Sequence, residues 1–407
     1  MFGRKLPFVA VTALLAPLLF TLAANGQSKI HHRFPAPLFS VDAKGLDPDL
    51  GRILDFALSP DGARVAVAFD APGEISKRGT WIAEWNTSDK TLIARNHIGV
   101  AIPPASNFPS IWHEAMQFTP DGSKLLVQVG DSLLAFDSDS VKLLYSSALQ
   151  IEPLGPALEN GEFSMSADGS AVAVLLAQNY DPPRTGRICV FNVESGKEIA
   201  HWMLPFAIHS LSLSPDGEDL LVSRQDPPEG IDLFVLNAAS GREEARFASG
   251  FVTAYSMGAT AVAAFLDRDH FLVTPTPQLD AKQNYVGDSL KILDRRTAAV
   301  GRQLTGNRFG LMGESWVSSR DQAIATLNAW APHWKQTVSE DPFGPAEFLF
   351  FQEDRQTPSC VVGPLPKGQT KQTGYVRFSG DLRLVGLFFD AHISIYPLSA
   401  CTVPSTS

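Results

Sequence analysis

Short apolar runs alternate with turn residues along most of the chain. An apolar run, a Ser-Pro-Asp-Gly turn and a second apolar run occur together at 56–69. Proline fixes φ near the value that a turn needs, aspartate accepts local backbone hydrogen bonds, and glycine adopts positive φ. Three similar segments have their turn glycines at 122, 169 and 217. The pattern therefore predicts a β-hairpin at each copy.

Three weaker copies continue the series, with turns at 266–270, 318–322 and 378–382 that keep an aspartate. Aligned on the position of Gly62, the seven turns fall at 62, 122, 169, 217, 269, 321 and 381, at intervals of 47 to 60 residues. Two further short strands follow each hairpin, as at 187–192 and 198–202. Four strands at this period predict one blade of a β-propeller, because blades packed around an axis bury both faces of each sheet.

The hairpin and the turn Phe-x-x-x-Ser-Gly-Lys at 191–197 resemble the WD-repeat-like and YVTN-type propeller repeats of secreted bacterial proteins. The resemblance extends over about residues 40–403, although no Trp-Asp dipeptide is present. It implies an all-β fold, a seven-bladed β-propeller of four-stranded antiparallel blades. Segment 37–41 precedes the first blade, and we expect this N-terminal strand to close the ring by completing the last blade.

The N-terminus has the features of a secretory signal peptide at 1–26. Arg4 and Lys5 precede an apolar stretch at 6–22, and small residues stand before Gln27. An uncleaved membrane anchor is the alternative. Cleavage would leave one propeller domain at 27–407, secreted or periplasmic, with no later segment apolar enough to span a membrane.

The cysteines and histidines add little chemistry. Cys360 and Cys401 lie near the ends of the last two repeats and could form a disulfide in that compartment, whereas Cys189 alternates with apolar residues and is expected to be a buried thiol. His31 and His32 follow the signal, where we expect a mobile arm. Two adjacent histidines do not complete a metal site.

Composition excludes some classes of protein and names none. The chain has 33 Lys and Arg against 43 Asp and Glu, a net charge of −10, which argues against a nucleic-acid partner. Sequence motifs for serine hydrolases, covalent haem, zinc peptidases and nucleotide-binding loops are absent. We therefore assign no cofactor, metal or catalytic residue.

Loop lengths distinguish the two ends of the predicted ring. With strands named A to D from the axis outward, the short A–B and C–D turns lie on one face, the turn face. The long B–C loops (70–79, 179–186, 225–230, 275–288 and 329–346) and D–A loops (99–111, 147–161 and 248–259) lie on the other, the loop face. Long loops on a rigid scaffold often bind partners, although neutral insertion is the alternative.

The predicted binding residues are aromatic and polar side chains of these loops or, for Trp112 and His113, of the segment that follows the loop at 99–111; interfaces commonly use such side chains as anchors. They are Trp112, His113, Tyr180, Asp181, Asp226, Glu229, Trp330, His333, Trp334 and Phe343. The aromatic members could equally pack beneath their own loops or cap the channel.

Three functions remain open on the sequence alone. The first is a monomeric, non-enzymatic scaffold that binds an unknown protein or cell-envelope macromolecule through the loop face. The second is a propeller enzyme of lactonase or quinoprotein-like type, for which the predicted inner strands offer only Asp55, Glu162, His209 and Arg377. The third is a structural repeat of an envelope assembly. A fold alone does not choose among them.

Overall fold

The computed structural model describes most of the chain between residues 30 and 401. The described residues are 30–42, 51, 53–70, 79–98, 116–129, 132–149, 163–178, 185–206, 208–224, 233–248, 262–274, 278–279, 285–286, 290–304, 315–318, 323–328, 347–352, 355–365, 375–389, 392–398 and 401. No helix in this part of the chain is long and apolar enough to cross a membrane.

The described strands form a seven-bladed β-propeller, as the repeat predicts. The first strands of the described residues are β1 (Ile30–His32) and β2 (Phe39–Asp42), which join blades six and seven. Blade one comprises β3 (Ile53–Leu58), β4 (Arg64–Asp70), β5 (Thr80–Asn86) and β6 (Leu92–Ile98). Blade two comprises β7 (Met116–Phe118), β8 (Lys124–Val129), β9 (Ser132–Asp137) and β10 (Lys142–Ala148). Blade three comprises β11 (Phe163–Met165), β12 (Ala171–Gln178), β13 (Gly186–Asn192) and β14 (Glu198–Leu204).

The remaining blades follow the same order. Blade four comprises β15 (Ile208–Leu213), β16 (Asp219–Arg224), β17 (Leu233–Asn237) and β18 (Glu243–Phe247). Blade five comprises β19 (Val262–Phe265), β20 (His270–Thr274), β23 (Leu290–Asp294) and β24 (Val300–Leu304), with a small hairpin, β21 (Gln278–Leu279) and β22 (Tyr285–Val286), between its second and third strands. Blade six contains β25 (Ser315–Ser318), β26 (Ala323–Asn328), β27 (Glu347–Gln352) and β28 (Cys360–Val362). Blade seven contains β29 (Tyr375–Phe378), β30 (Leu384–Phe389) and β31 (His392–Pro397).

The N-terminal strands complete the last two blades. Strand β2 pairs antiparallel with β31 and is the outermost strand of blade seven, at nearly the position assigned to 37–41. Strand β1 pairs parallel with β28 and gives blade six a fifth strand. The expectation of a mobile arm at His31 and His32 is therefore wrong, because both residues lie in the register of this pair.

Apolar side chains pack between neighbouring blades. Within the described residues, seven clusters of buried apolar side chains each join two adjacent blades around the ring. The cluster between blades seven and one contains Phe56 and Phe69 of blade one with Val41 and Ile395 of blade seven. Every blade thus buries both faces against its neighbours, which is the reason a single blade cannot fold alone.

The A–B turns owe their shape to one repeated hydrogen-bond pattern. In blade one the Ser59 hydroxyl donates to Asp61 at 2.7 Å and accepts the backbone N–H of Arg64 at 2.8 Å. The same two bonds recur in blades two, three, four and seven. In blade seven, Leu382 follows the turn aspartate and has positive φ (56°), as Gly62 has in blade one. Leu382 therefore occupies the position of Gly62, and the predicted position 381 is one residue early.

All three cysteines are placed by the described residues. Cys360 and Cys401 form a disulfide with a Cα–Cα distance of 5.5 Å, which links the C-terminal segment to β28. Cys189 is a buried free thiol in β13, and its burial raises the pKa of the thiol to about 11.

Candidate functional site

The ten predicted loop-face residues lie outside the described residues. These are Trp112, His113, Tyr180, Asp181, Asp226, Glu229, Trp330, His333, Trp334 and Phe343. Their role as a binding surface therefore stays a prediction. The structure does describe the strands from which these loops depart, and it describes the turn face in detail.

Two of the four titratable residues considered for catalysis pair with each other. Asp55 on β3 and Arg377 on β29 lie 3.5 Å apart, both almost fully buried, where blade one meets blade seven. The Asp55 carboxylate also accepts the backbone N–H of Phe56 at 2.8 Å. This pair joins the first and last blades. Glu162 lies outside the described residues, and the structure describes only the backbone of His209.

Serines of the inner strands connect neighbouring blades. The hydroxyl of Ser164 accepts the N–H of Leu213 at 2.8 Å, and that of Ser212 accepts the N–H of Phe265 at 3.0 Å. These bonds pair backbone donors that face the propeller axis. Ser164 and Ser212 are therefore explained by blade-to-blade contact.

On the turn face, the C–D turns are held by their own strands. The side-chain oxygen of Asn192, at the end of β13, accepts the N–H of Ser195 at 2.9 Å, and the N–H of Val193 donates to the Ser170 carbonyl at 2.9 Å. Blades one, two, four and five have the same two contacts. The A–B and C–D turns of a blade thus form one rigid unit.

Charged side chains at the start of the B strands reach the C–D turn of the next blade. Arg64 in blade one donates to Ser138 at 2.9 Å and to Asp139 at 2.9 Å, and to the Gly122 carbonyl at 2.6 Å. Lys124 of blade two, like Arg64 of blade one, lies two residues after the turn glycine of its blade. It pairs with Glu194 of blade three. These pairs bridge blades one to two and two to three.

The corresponding pair is missing between blades three and four. The two equivalent positions are Ala171, at the start of β12, and Ala239, in the C–D turn of blade four. Two methyl groups cannot form an ion pair. From blade four to blade five the charges return in reversed order, since Asp219 at the start of β16 pairs with Arg295.

A groove of about 510 Å³ lies on the turn face beside these alanines, and we call it the blade-four groove. It crosses the turns of blade four from blade three to blade five. Its lining residues are Val190, Ile199, Gly217, Glu218, Asp219, Asn237, Ala238, Ala239, Glu244, Arg268 and Arg295. No local sequence pattern predicts this groove; its only signal is the pair of alanines that stand where the preceding repeat has Lys124 and Glu194.

The blade-four groove carries more acidic than basic groups. Arg295 pairs with Asp219 and lies 3.4 Å from Glu244. Arg268 lies 3.3 Å from Asp216, just outside the lining, and 3.1 Å from Glu218. Burial raises the pKa of Asp219; the guanidinium of Arg295 opposes that shift and the neighbouring carboxylates add to it.

One buried carboxylate elsewhere has no hydrogen-bond partner. Glu84 on β5 is completely buried between blades one and two, and neither carboxylate oxygen forms a hydrogen bond. The Nη1 of Arg64 lies 3.4 Å from its Oε1. Burial raises the pKa of Glu84 to about 8, against the pull of Arg64 and with a further rise from Asp139 and Asp137.

Within the described residues, no three His, Cys, Asp or Glu side chains are grouped closely enough to hold a metal ion. Two surfaces are candidates for binding. One is the loop face, of which the structure describes the strand ends, and the other is the blade-four groove on the turn face. The groove can bind by charge and shape, and its described side chains include no nucleophile with an adjacent base.

Three solved structures show how the fold compares with known proteins. A chain of the mitotic checkpoint complex matches with a TM-score of 0.51 and 12% identity, over 90% of this chain and 96% of that chain. The WD40 domain of Toxoplasma gondii coronin matches with a TM-score of 0.55 and 10% identity, over 92% and 90%. The C-terminal WD40 domain of Sif2 matches with a TM-score of 0.52 and 11% identity, over 92% and 99%.

No family model matches the sequence, and no curated protein matches it significantly. At 10 to 12% identity the structural likeness shows the fold alone. The fold is that of the WD-repeat-like propellers, which confirms this part of the sequence resemblance. The narrower YVTN type stays a prediction.

Proposed function

We propose that this seven-bladed, WD-repeat-like propeller is a non-enzymatic scaffold that binds another protein, or a cell-envelope macromolecule, through its loop face. The observation that carries the proposal is the contrast between the two ends of the ring. On the turn face, short turns are fixed by repeated hydrogen bonds. Every connection of more than seven residues between successive blade strands departs from the opposite strand ends, where a rigid ring can hold it in place for a partner.

The interior of the described ring supports binding over catalysis. Asp55 and Arg377 pair with each other across blades one and seven, and the inner-strand serines bind neighbouring backbone. These groups join the blades to one another. The net charge of −10 favours a partner other than a nucleic acid.

Trp330 and Trp334 are the anchors we choose to test. The double variant Trp330→Ala/Trp334→Ala is compared with the wild type and with Glu194→Gln, a turn-face control. Each protein is immobilised, exposed to an envelope extract and washed. We expect the tryptophan variant alone to lose the partner that the wild type retains. Equal recovery by all three proteins would contradict binding through the loop face.

Export is tested separately. We propose that 1–26 is removed and that the protein is secreted or periplasmic, as a monomer. Expression in a bacterial host followed by mass spectrometry of the exported protein should give Gln27 as the first residue. Retention of Met1 in the membrane fraction would instead favour the uncleaved anchor.

A further inference from the structure

We propose that the blade-four groove is a second binding surface, one that takes a segment of a partner protein carrying a lysine or arginine beside an apolar residue. The groove lies on the turn face, at the opposite end of the blades from the loop face. The inference therefore does not rest on the function proposed above, and either can fail without the other.

The groove is open because the third blade-to-blade pair is missing. Between blades two and three, the same position is occupied by the side chains of Lys124 and Glu194. Between blades three and four, Ala239 lines the groove, and Ala171 lies beneath its edge, with its Cβ 3.2 Å from the place that a Cβ on Gly217 would take. The scaffold around the opening is otherwise the same as in the neighbouring blades, since the turn of blade four keeps its hydrogen bonds.

Charge selects a cationic occupant. Asp219, Glu218 and Glu244 line the groove against Arg268 and Arg295, so the acids of the lining exceed the bases by one. Asp216 and Arg242, just outside the lining, add one charge of each sign. Each arginine of the lining is already shared between two carboxylates. The side chain of Glu218 is 66% exposed, and an entering cation reaches it without breaking a buried pair. An anionic group would meet the excess negative charge.

An apolar contact lies beside these acids. Ile199 lines the groove on blade three and is 48% exposed. It occupies the bulge of the outermost strand, and the equivalent bulge in blade four holds Glu244. On blades two and one this position holds Leu144 and Ile93, both exposed.

The surface thus changes from apolar on blade three to acidic on blade four. A lysine or arginine suits this boundary, because its charged end can reach carboxylates while its methylene stem covers an apolar neighbour. An apolar residue next to it in the partner would cover Ile199. This combination defines the occupant as a basic and apolar protein segment.

The test begins with peptides. Short random peptides displayed on phage are selected on the immobilised full chain, and the most enriched peptide is labelled for fluorescence anisotropy. We expect enriched peptides to place Lys or Arg beside Leu, Ile, Val or Phe. The variant Glu218→Gln/Glu244→Gln should weaken the labelled peptide by about five- to tenfold, as the loss of two exposed or half-exposed ion pairs predicts.

Two further variants make the result specific. Glu194→Gln removes an acid from the same face at blade three and should change the affinity less than about twofold. Ala171→Lys/Ala239→Glu copies the Lys124–Glu194 pair into the open position and should abolish binding while the thermal midpoint shows a folded protein. If that variant does not fold, the comparison of the glutamine variants decides.

No enrichment, enrichment of acidic peptides, equal weakening by Glu194→Gln, or binding retained in the folded closed variant would each overturn the proposal. Loss of loop-face binding in the Trp330→Ala/Trp334→Ala variant would leave the proposal for the blade-four groove unaffected. The two surfaces are therefore separable by experiment.

Discussion

The buried carboxyl group of Glu84 is predicted to make the stability of the protein depend on pH. Glu84 lies on β5 in the interface between blades one and two, with no exposed surface. Its charged neighbours are Arg64 on β4 and Asp137 and Asp139 of blade two. We predict that Glu84→Gln, which keeps the shape and removes the ionisable group, stabilises the protein at neutral pH.

The magnitude follows from the two pKa values. Folding raises the pKa of Glu84 from 4.5 to about 8, so the folded state binds the proton more tightly than the unfolded state. Stability is therefore lost as pH rises above the unfolded pKa, and the loss is complete above the folded pKa. At pH 7 the cost is about 3 kcal/mol, since each unit of difference in pKa contributes about 1.4 kcal/mol.

Urea unfolding of the wild type and of Glu84→Gln at about pH 5.5, 7 and 8.5 measures this difference. The advantage of the variant should grow by about 3 kcal/mol between the lowest and the highest pH. Glu194→Gln is the control, since Glu194 is 83% exposed and its replacement should change stability by less than about 1 kcal/mol. Parallel pH profiles for the wild type and Glu84→Gln would refute the assignment of a neutral, buried carboxyl group.

Two other predictions concern the backbone and the disulfide. The Cys360–Cys401 bridge closes 41 residues, so Cys401→Ser should lower the free energy of unfolding by about 4 kcal/mol in a urea titration. Reductant should lower the wild type to the same value and leave the variant unchanged; a wild type insensitive to reductant would contradict the bridge. Ala298 has φ 52° at the turn position of blade five where blade three has Gly196 at φ 66°. Ala298→Gly should therefore raise the free energy of unfolding by about 1 kcal/mol, and the thermal midpoint with it. The reverse change, Gly196→Ala, should lower it by more, because the new Cβ would lie 2.4 Å from the ring of Tyr145. Equal thermal midpoints for Ala298→Gly and Gly196→Ala would show that φ does not limit stability at these turns.

The sequence predicts the blades well because their signal is local. The hydroxyl, aspartate and glycine of the first four A–B turns lie within four residues and fix the turn through their own hydrogen bonds. The two strands predicted at 187–192 and 198–202 are found at Gly186–Asn192 and Glu198–Leu204. Leu382 shows the limit of this signal, since a leucine at φ 56° cannot be recognised as the substitute for glycine.

Features that depend on distant residues escaped prediction. Strand β1 contains three residues, and its partner Cys360–Val362 lies more than three hundred positions away, so no local pattern marks it. The blade-four groove depends on what is missing at Ala171 and Ala239, and alanine in a strand or turn has no distinctive pattern. Only a comparison between repeats makes such an absence visible.

The differences between repeats are where specificity can arise in this ring. Turn hydrogen bonds recur within the blades, and an apolar cluster lies at each interface of the described ring, so these features determine the fold without distinguishing one blade from another. The charged pairs do distinguish them: Arg64 reaches Asp139, Lys124 reaches Glu194, and Asp219 reverses the polarity toward Arg295. Between blades three and four both partners are replaced by alanine, so no buried charge is left without a partner and the missing pair costs little stability. It opens a site at one position of the ring while the scaffold on either side stays rigid.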